Sequence, residues 1–250
     1  MTLYLPNPDH IVRGLEITLL VAGAARWCNA VSTSGFFAGL SVGLWVSVAL
    51  GSPGLLVVGA FFLLGTLSTR WRYAEKHHHG IAEPDGGARG AGRVLAKGSV
   101  GAALAVAGLF DTFDPALTRA AFVGAFAAAA ADTLGTEIGQ VLGRRAFTVV
   151  PTAAAKPGTP GAVSVAGCVA GLLGAAAVAG AGFGAGLLAP LSIPLVAAAG
   201  LLGSIVEAAL SPMLRGSPWR DLAANLLTTA SGAAMAAGLV AAARHMGTVP

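Results

Sequence analysis

Residues 127–139 read AAAAADTLGTEIG, a run of small apolar residues that extends an apolar helix and carries the carboxylates of Asp132 and Glu137. A charged group inside or at the rim of a membrane span is costly unless it is paired, solvated in a cavity or bound to a cation. The two acids are therefore either functional or neutralised by basic residues at a helix end. At about 100° per residue, Asp132, Gly135, Thr136 and Gly139 share one face, and Thr133, Glu137 and Gln140 share an adjoining one. The helix thus presents oxygens beside a smooth, glycine-lined wall. Such oxygens suit Mg²⁺, which takes one or two carboxylates and leaves its other positions to water and substrate phosphates.

Composition makes a bilayer the surrounding medium. Of 250 residues, 55% are hydrophobic and only 10% are charged, whereas about a quarter are charged in a soluble domain. The mean hydropathy of +0.76 points the same way. An ordinary soluble domain is excluded, and the chain is expected to be an all-α, polytopic transmembrane helical bundle forming a single integral-membrane domain over residues 1–250. Its 36 glycines fit closely packed spans, in which small residues let backbones approach. Cys28 and Cys168 lie far apart in apolar surroundings without metal-ligand spacing and read as packing residues. Residues 1–14, MTLYLPNPDHIVRG, lack a basic segment followed by a long apolar core, so insertion is expected to be directed by the spans.

Eight stretches approach or reach spanning length: residues 11–25, 36–50, 55–67, 94–110, 117–139, 161–181, 187–210 and 222–243. The first is the weakest, being short and interrupted by Arg13 and Glu16, so the span count is seven or eight. Gly51-Ser52-Pro53-Gly54 cannot continue a helix and predicts an antiparallel hairpin of the second and third stretches. Arg70, Arg72, Lys76, Arg89, Arg93 and Lys97 flank or fill one connection, Arg144, Arg145 and Lys156 the next on that side, and Arg215 and Arg220 the last. The opposite connections hold Arg119 as their one basic residue, against Asp111 and Asp114. The positive-inside rule places the basic connections in the cytoplasm, and both termini outside if all eight stretches cross. The net charge of +4 is then a topology signal. Without a surface of interleaved basic and aromatic residues it does not indicate nucleic acid.

Several polar motifs fall at this basic end and can compose one site. Residues 86–92, GGARGAG, precede a helix and carry Arg89, with Arg93 and Lys97 at four-residue intervals. Their glycines let backbone N–H groups approach a phosphate near the positive end of the following helix. The loop lacks the GK[ST] ending of the familiar phosphate loops, and glycine and charge alone equally describe a flexible loop touching lipid headgroups. Residues 157–164, PGTPGAVS, break the chain with Lys156 in front and Thr159 and Ser164 as hydroxyl donors, either as a helix-entry turn or as an irregular segment lining a cavity. Asp221 and Asn225 project together from a helix start, where Asp221 also suits the dipole. Glu207, near the end of an apolar run, has no such excuse. His77, His78 and His79 splay about 100° apart in a helix and do not read as a metal site.

Five motifs in order, IAEPDGGARGAGRVLAKG (81–98), ADTLGTEIG (131–139), PGTPGAVSVAG (157–167), GSIVEAALSPMLR (203–215) and DLAANLLTTASGA (221–233), give the chain a resemblance over residues 32–243. It resembles the integral-membrane family (domain of unknown function 92) that includes the phytyl-phosphate kinase of the vitamin E pathway and the transmembrane-protein-19-like proteins. Arg93, Lys97, Glu207 and Arg215 depart from the family's usual glutamine, asparagine, aspartate and glutamine. The resemblance implies phosphoryl transfer from a nucleoside triphosphate, CTP, to an isoprenoid monophosphate such as phytyl or geranylgeranyl phosphate. Asp132 and Glu137 would hold Mg²⁺, with Glu207 and Asp221 as further metal ligands. Arg89, Arg93, Lys97 and Lys156 would clamp phosphates. Gly158, Thr159, Ser164, Thr133, Thr136 and Asn225 would contact substrate or nucleotide, and the isoprenoid tail would lie in the glycine-lined groove. Cytidylyl transfer onto a lipid phosphate needs the same metal and clamp, and a transporter also uses buried acids near broken helices.

The charge asymmetry predicts that Ala88→Cys and Thr112→Cys, in a background lacking Cys28 and Cys168, label from opposite faces of the membrane, with Ala88 cytoplasmic. Labelling of both from one face would overturn the span count.

Overall fold

The computed structural model describes residues 8–156, 158–214, 216–217 and 219–249. Arg215, Pro157 and residues 1–7, all used in the sequence reading, lie outside them. In chain order the elements are α1 (Pro8–Trp27), α2 (Thr33–Arg70), α3 (Tyr73–His78), α4 (Ala91–Ala107), α5 (Pro115–Leu142), β1 (Ala146–Thr148), β2 (Ala153–Ala155), β3 (Ala162–Ser164), α6 (Val165–Gly184), α7 (Ser192–Leu210) and α8 (Arg220–His245). Five of the helices (α2, α5, α6, α7 with the short turn that follows it, and α8) are long and apolar enough to cross a membrane; α1 and α4 fall short of that measure.

Helix α2 holds the hairpin expected at Gly51, whose φ of 61° and ψ of −148° are not helical. A Cβ at Gly54 would lie 2.7 Å from Val46 Cγ1, whereas eight residues of continuous helix separate such atoms by about 12 Å. The limbs therefore run back along each other. Their free ends meet again where Phe36 and Phe62 pack on Ala25, Ala30 and Val31 and where the Arg70 guanidinium donates to the Cys28 carbonyl.

Helix α5 is the axis. Asp114 caps it by accepting from the Ala116 and Leu117 amides at 2.8 and 3.1 Å, and Pro115 supplies a first-turn φ. The Leu117 amide first, and then Arg244 at 2.8 Å, hold the Asp114 carboxyl below the usual carboxylate range. Every residue from 120 to 131 is buried. The span is 72% buried, against 28–44% for the others, so neighbours surround it on all sides. Only small residues permit this. A Cβ at Gly171 would lie 2.8 Å from the Ala131 carbonyl oxygen, one at Gly200 would lie 2.9 Å from the Ala127 carbonyl carbon, and one at Gly232 would lie 2.8 Å from the Gly124 carbonyl oxygen. Large apolar side chains such as Leu20, Leu63, Val165 and Leu173 point outward instead. Small inside and large outside is the arrangement expected when lipid is the solvent.

Two expectations are corrected. The glycine wall beside Asp132 is not an open groove for a tail, because α6 fills it: a Cβ at Gly167 would lie 2.7 Å from the Gly135 carbonyl oxygen, and one at Gly139 would lie 3.1 Å from Gly167 Cα. Residues 161–164 do not begin a span. Residues 162–164 form the third strand of a small antiparallel sheet, ordered β2-β1-β3, in which Phe147 faces both Ala154 and Val163. Gly158 and Gly161, with φ of 84° and 78°, supply the turns that carry the chain from β2 to β3.

Gly232→Ala is expected to destabilise the fold by about 1–3 kcal/mol through overpacking against α5, whereas Gly238→Ala on the same helix, with nothing within 4 Å, is expected to be neutral or stabilising. Thermal unfolding of both variants in detergent checks this, and equal behaviour would refute the packing argument.

Candidate active site

At the end of the bundle where α5 and α7 finish and α4, α6 and α8 begin, the helices enclose a cavity of about 340 Å³. Most of the residues singled out in the sequence converge there. Arg89, Arg93 and Lys97 line it from α4 and the preceding loop; Asp132, Thr133, Thr136 and Glu137 from α5; Gly158, Thr159 and Ser164 from the sheet; and Glu207, Asp221 and Asn225 from α7 and α8. Lys156 is the exception. It follows directly on β2, is exposed, and lines a separate cavity of about 430 Å³ with Thr148, Pro151 and Pro212.

Arg89 is held through both its main chain and its side chain. Its amide donates to the Ala30 carbonyl at 3.0 Å, and its carbonyl accepts from Ser32 N at 3.1 Å. The guanidinium donates to Thr66 Oγ1 at 3.2 Å and Thr69 Oγ1 at 3.5 Å, and lies 5.7 Å from the Phe62 ring centre. Gly65 makes the room, since a Cβ there would lie 2.8 Å from Arg89 Nη2. Burial pulls the Arg89 pKa below its usual value, with Glu137 and Glu83 opposing. No carboxylate among the described residues lies within ion-pair distance of it.

Three other cations are paired with acids. Lys97 Nζ donates to Asp132 Oδ2 at 2.6 Å and to Thr133 Oγ1 at 3.0 Å, with the lysine side chain 13% exposed and the aspartate 24%. Arg93 pairs with Glu83. Glu137, expected as a metal ligand, offers Oε2 to Lys76 Nζ at 2.6 Å, and Lys76 is wholly buried. The same ammonium donates to the Ser68 and Thr69 carbonyls at 3.0 and 2.7 Å, capping the end of α2. One oxygen of Glu137 is thereby committed to a structural pair. Glu207 makes no ion pair with a described residue, although Asp132, Lys97 and Arg220 all act on it electrostatically. Asn225 Nδ2 donates to the Asp221 carbonyl at 2.6 Å, realising the four-residue spacing, while the Asp221 side chain is 77% exposed. Ser164 accepts from Gly167 N at 3.1 Å as the cap of α6.

The sequence reading did not single out Lys76, Glu83 or Arg220 as site residues, having met Lys76 and Arg220 only as topology charges. A lysine 61 positions from its acid carries no local signal. Glu83, ten residues before Arg93 in the glycine-rich connection, was available as a partner.

The model described as integral membrane protein DUF92 matches residues 16–243. The chain belongs to this family. The DUF92 chain is 28% identical over 195 residues to protein VTE6, chloroplastic, of Arabidopsis thaliana, covering 77% of this chain and 59% of VTE6. It therefore spans less than two thirds of that relative's length. It is also 33% identical over 206 residues to an uncharacterized membrane protein, sll0875, of Synechocystis sp., covering 81% of this chain and 80% of the relative. No solved structure matches the DUF92 chain.

Lys76→Met leaves Glu137 buried without a counter-charge and is expected to destabilise the protein by about 3–5 kcal/mol, whereas Lys76→Met with Glu137→Gln recovers most of that loss. Denaturation in detergent of the single and double variants is the measurement; an unaltered single variant would contradict the buried pair.

Proposed function

We propose that this DUF92 protein transfers the γ-phosphoryl group of a nucleoside triphosphate, CTP by family resemblance, to an isoprenoid monophosphate, with the cavity opening to the cytoplasm. The observation that carries the reading is the Arg89 guanidinium, held by hydroxyls and an aromatic face and left without a carboxylate, at a cavity lined by further cations. A planar guanidinium fixed in this way is suited to two phosphate oxygens at once. In the reaction, an ionised oxygen of the lipid monophosphate bonds to the γ-phosphorus while the bond from that phosphorus to the β,γ-bridging oxygen breaks. Nucleoside diphosphate leaves and the lipid diphosphate remains. The nucleophile is already anionic, so the residues need to align and neutralise two polyanions and no strong base is required. Arg89, Arg93 and Lys97 do the neutralising, and Thr133, Thr136, Thr159 and Ser164 offer hydroxyls.

The acids fit Mg²⁺ by their chemistry. Asp132 and Glu207 line the cavity and act on each other electrostatically, and Thr136 lines the same cavity. That is an all-oxygen set. Among the described residues no three His, Cys, Asp or Glu side chains cluster as a metal site, and Mg²⁺ shared with phosphates needs only one or two carboxylates. Asp132 and Glu207 would hold it, with Asp221 at the exposed rim and Glu137 committed to Lys76. When bound it offsets charge on the phosphates.

Purified protein incubated in detergent with phytyl or geranylgeranyl phosphate, Mg²⁺ and each nucleotide in turn is expected to yield lipid diphosphate and nucleoside diphosphate by mass. Pyrophosphate release would indicate cytidylyl transfer instead, and the absence of either product would reject both. Arg89→Ala and Lys97→Ala are expected to lower kcat/KM by roughly 10², about 2.7 kcal/mol, with insertion unchanged. Arg89→Lys should also be impaired, since lysine lacks the fork. The main-chain bonds of Arg89 survive both changes, so wild-type rates in the two Arg89 variants would remove this arginine from the site.

A further inference from the structure

The basic clamp read from the sequence comes from α4 and the loop before it, yet the cavity holds a cation on another helix. Arg220, the first residue of α8, lines the same space as Arg89 and Lys97. Its amide donates to the Ser217 carbonyl at 3.2 Å, fixing the entry to the helix. Its side chain, 33% exposed, acts electrostatically on Glu207 but makes no hydrogen bond to a described residue. Nε is buried from solvent and has no hydrogen-bond partner among the described residues. Asp221 Oδ1 is 3.9 Å from Nη1, beyond hydrogen-bonding range, and the Asp221 side chain is largely exposed. A buried guanidinium N–H without an acceptor is costly to leave unmade, so its occurrence at a cavity wall calls for an explanation.

We propose that Arg220 is a second phosphate-binding residue, holding a phosphate group other than the one held by Arg89. The reading rests on the proposed transfer between two polyanions, because that chemistry brings two phosphate-bearing molecules into one cavity. The two arginines reach it from separate parts of the fold: Arg89 is tied by hydrogen bonds to the strand-like stretch before α2 and to the second limb of that helix, and Arg220 begins α8. Asn225 also lines the cavity from α8, one turn further in, but its Nδ2 is already donated to the Asp221 carbonyl. Arg220 is thus the charged donor on that wall, with a buried N–H that has no acceptor among the described residues. The ligand is a phosphate monoester or a polyphosphate, supplied either by the lipid or by the nucleotide.

The test compares wild type, Arg220→Ala and Arg220→Lys in detergent. KM is measured for the isoprenoid phosphate and for the nucleoside triphosphate separately, each with the other saturating, and thermal stabilisation by inorganic pyrophosphate is measured without turnover. Arg220→Ala is expected to raise one KM by roughly 10-fold or more and leave the other near wild type. The substrate affected identifies the source of the phosphate. Arg220→Lys, which retains charge and tests against a folding defect, is expected to restore that KM only in part. Stabilisation by pyrophosphate is expected to be smaller in Arg220→Ala. If wild type proves inactive on both substrates while Arg220→Ala still loses the pyrophosphate response, the phosphate subsite stands and the transfer reaction falls. Unchanged KM values together with an unchanged pyrophosphate response would overturn the subsite itself.

Discussion

Backbone-to-backbone approach around α5 is the constraint on which the rest depends. A helix buried on every side from 120 to 131 admits neighbours only where side chains are nearly absent, and Gly124, Gly171, Gly200 and Gly232 provide those places. Lipid gives no hydrophobic drive for helix to pack on helix, so dispersion over such close faces must hold the bundle. The same crowding sets the depth of the site. Asp132 comes one residue after the last of the enclosed positions, where α5 leaves the fully packed layer and its neighbours diverge into a cavity.

Within that cavity the charges are organised by distance in sequence rather than by proximity. Lys76 to Glu137 and Lys97 to Asp132 join α3 and α4 to the end of α5. The first pair is buried, so neither Lys76 nor Glu137 can be lost singly without leaving a charge in a poorly solvating interior, whereas the second faces the cavity. Arg89 differs in kind: hydroxyls and a phenyl ring hold it in place and leave its charge unanswered by any described carboxylate.

Much of this was legible in the sequence, for identifiable reasons. Gly51-Ser52-Pro53-Gly54 announces a reversal because none of these residues favours helix continuation. The acids of 127–139 stand out because an apolar run makes them expensive. The rest depended on long-range geometry. Residues 146–164 gave no strand signal, because AFT, AAA and AVS are too short to show alternation. Lys156 looked like part of the clamp by adjacency to 157–164, yet the turn after β2 leaves it on the other cavity. The glycine face of α5 was visible, but a sequence does not say whether a smooth face receives a ligand or another helix; here it receives Gly167.

The charge inventory has a consequence for selectivity. The cavity is lined by four cationic side chains, Arg89, Arg93, Lys97 and Arg220, and by five acidic ones, Glu83, Asp132, Glu137, Glu207 and Asp221. Lys76 behind Glu137 completes the balance, so with all groups ionised the resting site is electroneutral. Where the fixed charges already balance, a bare anion entering the cavity adds uncompensated negative charge, whereas an anion arriving with its own counter-cation disturbs the sum less. Such a site discriminates by the net charge of what enters as much as by its shape.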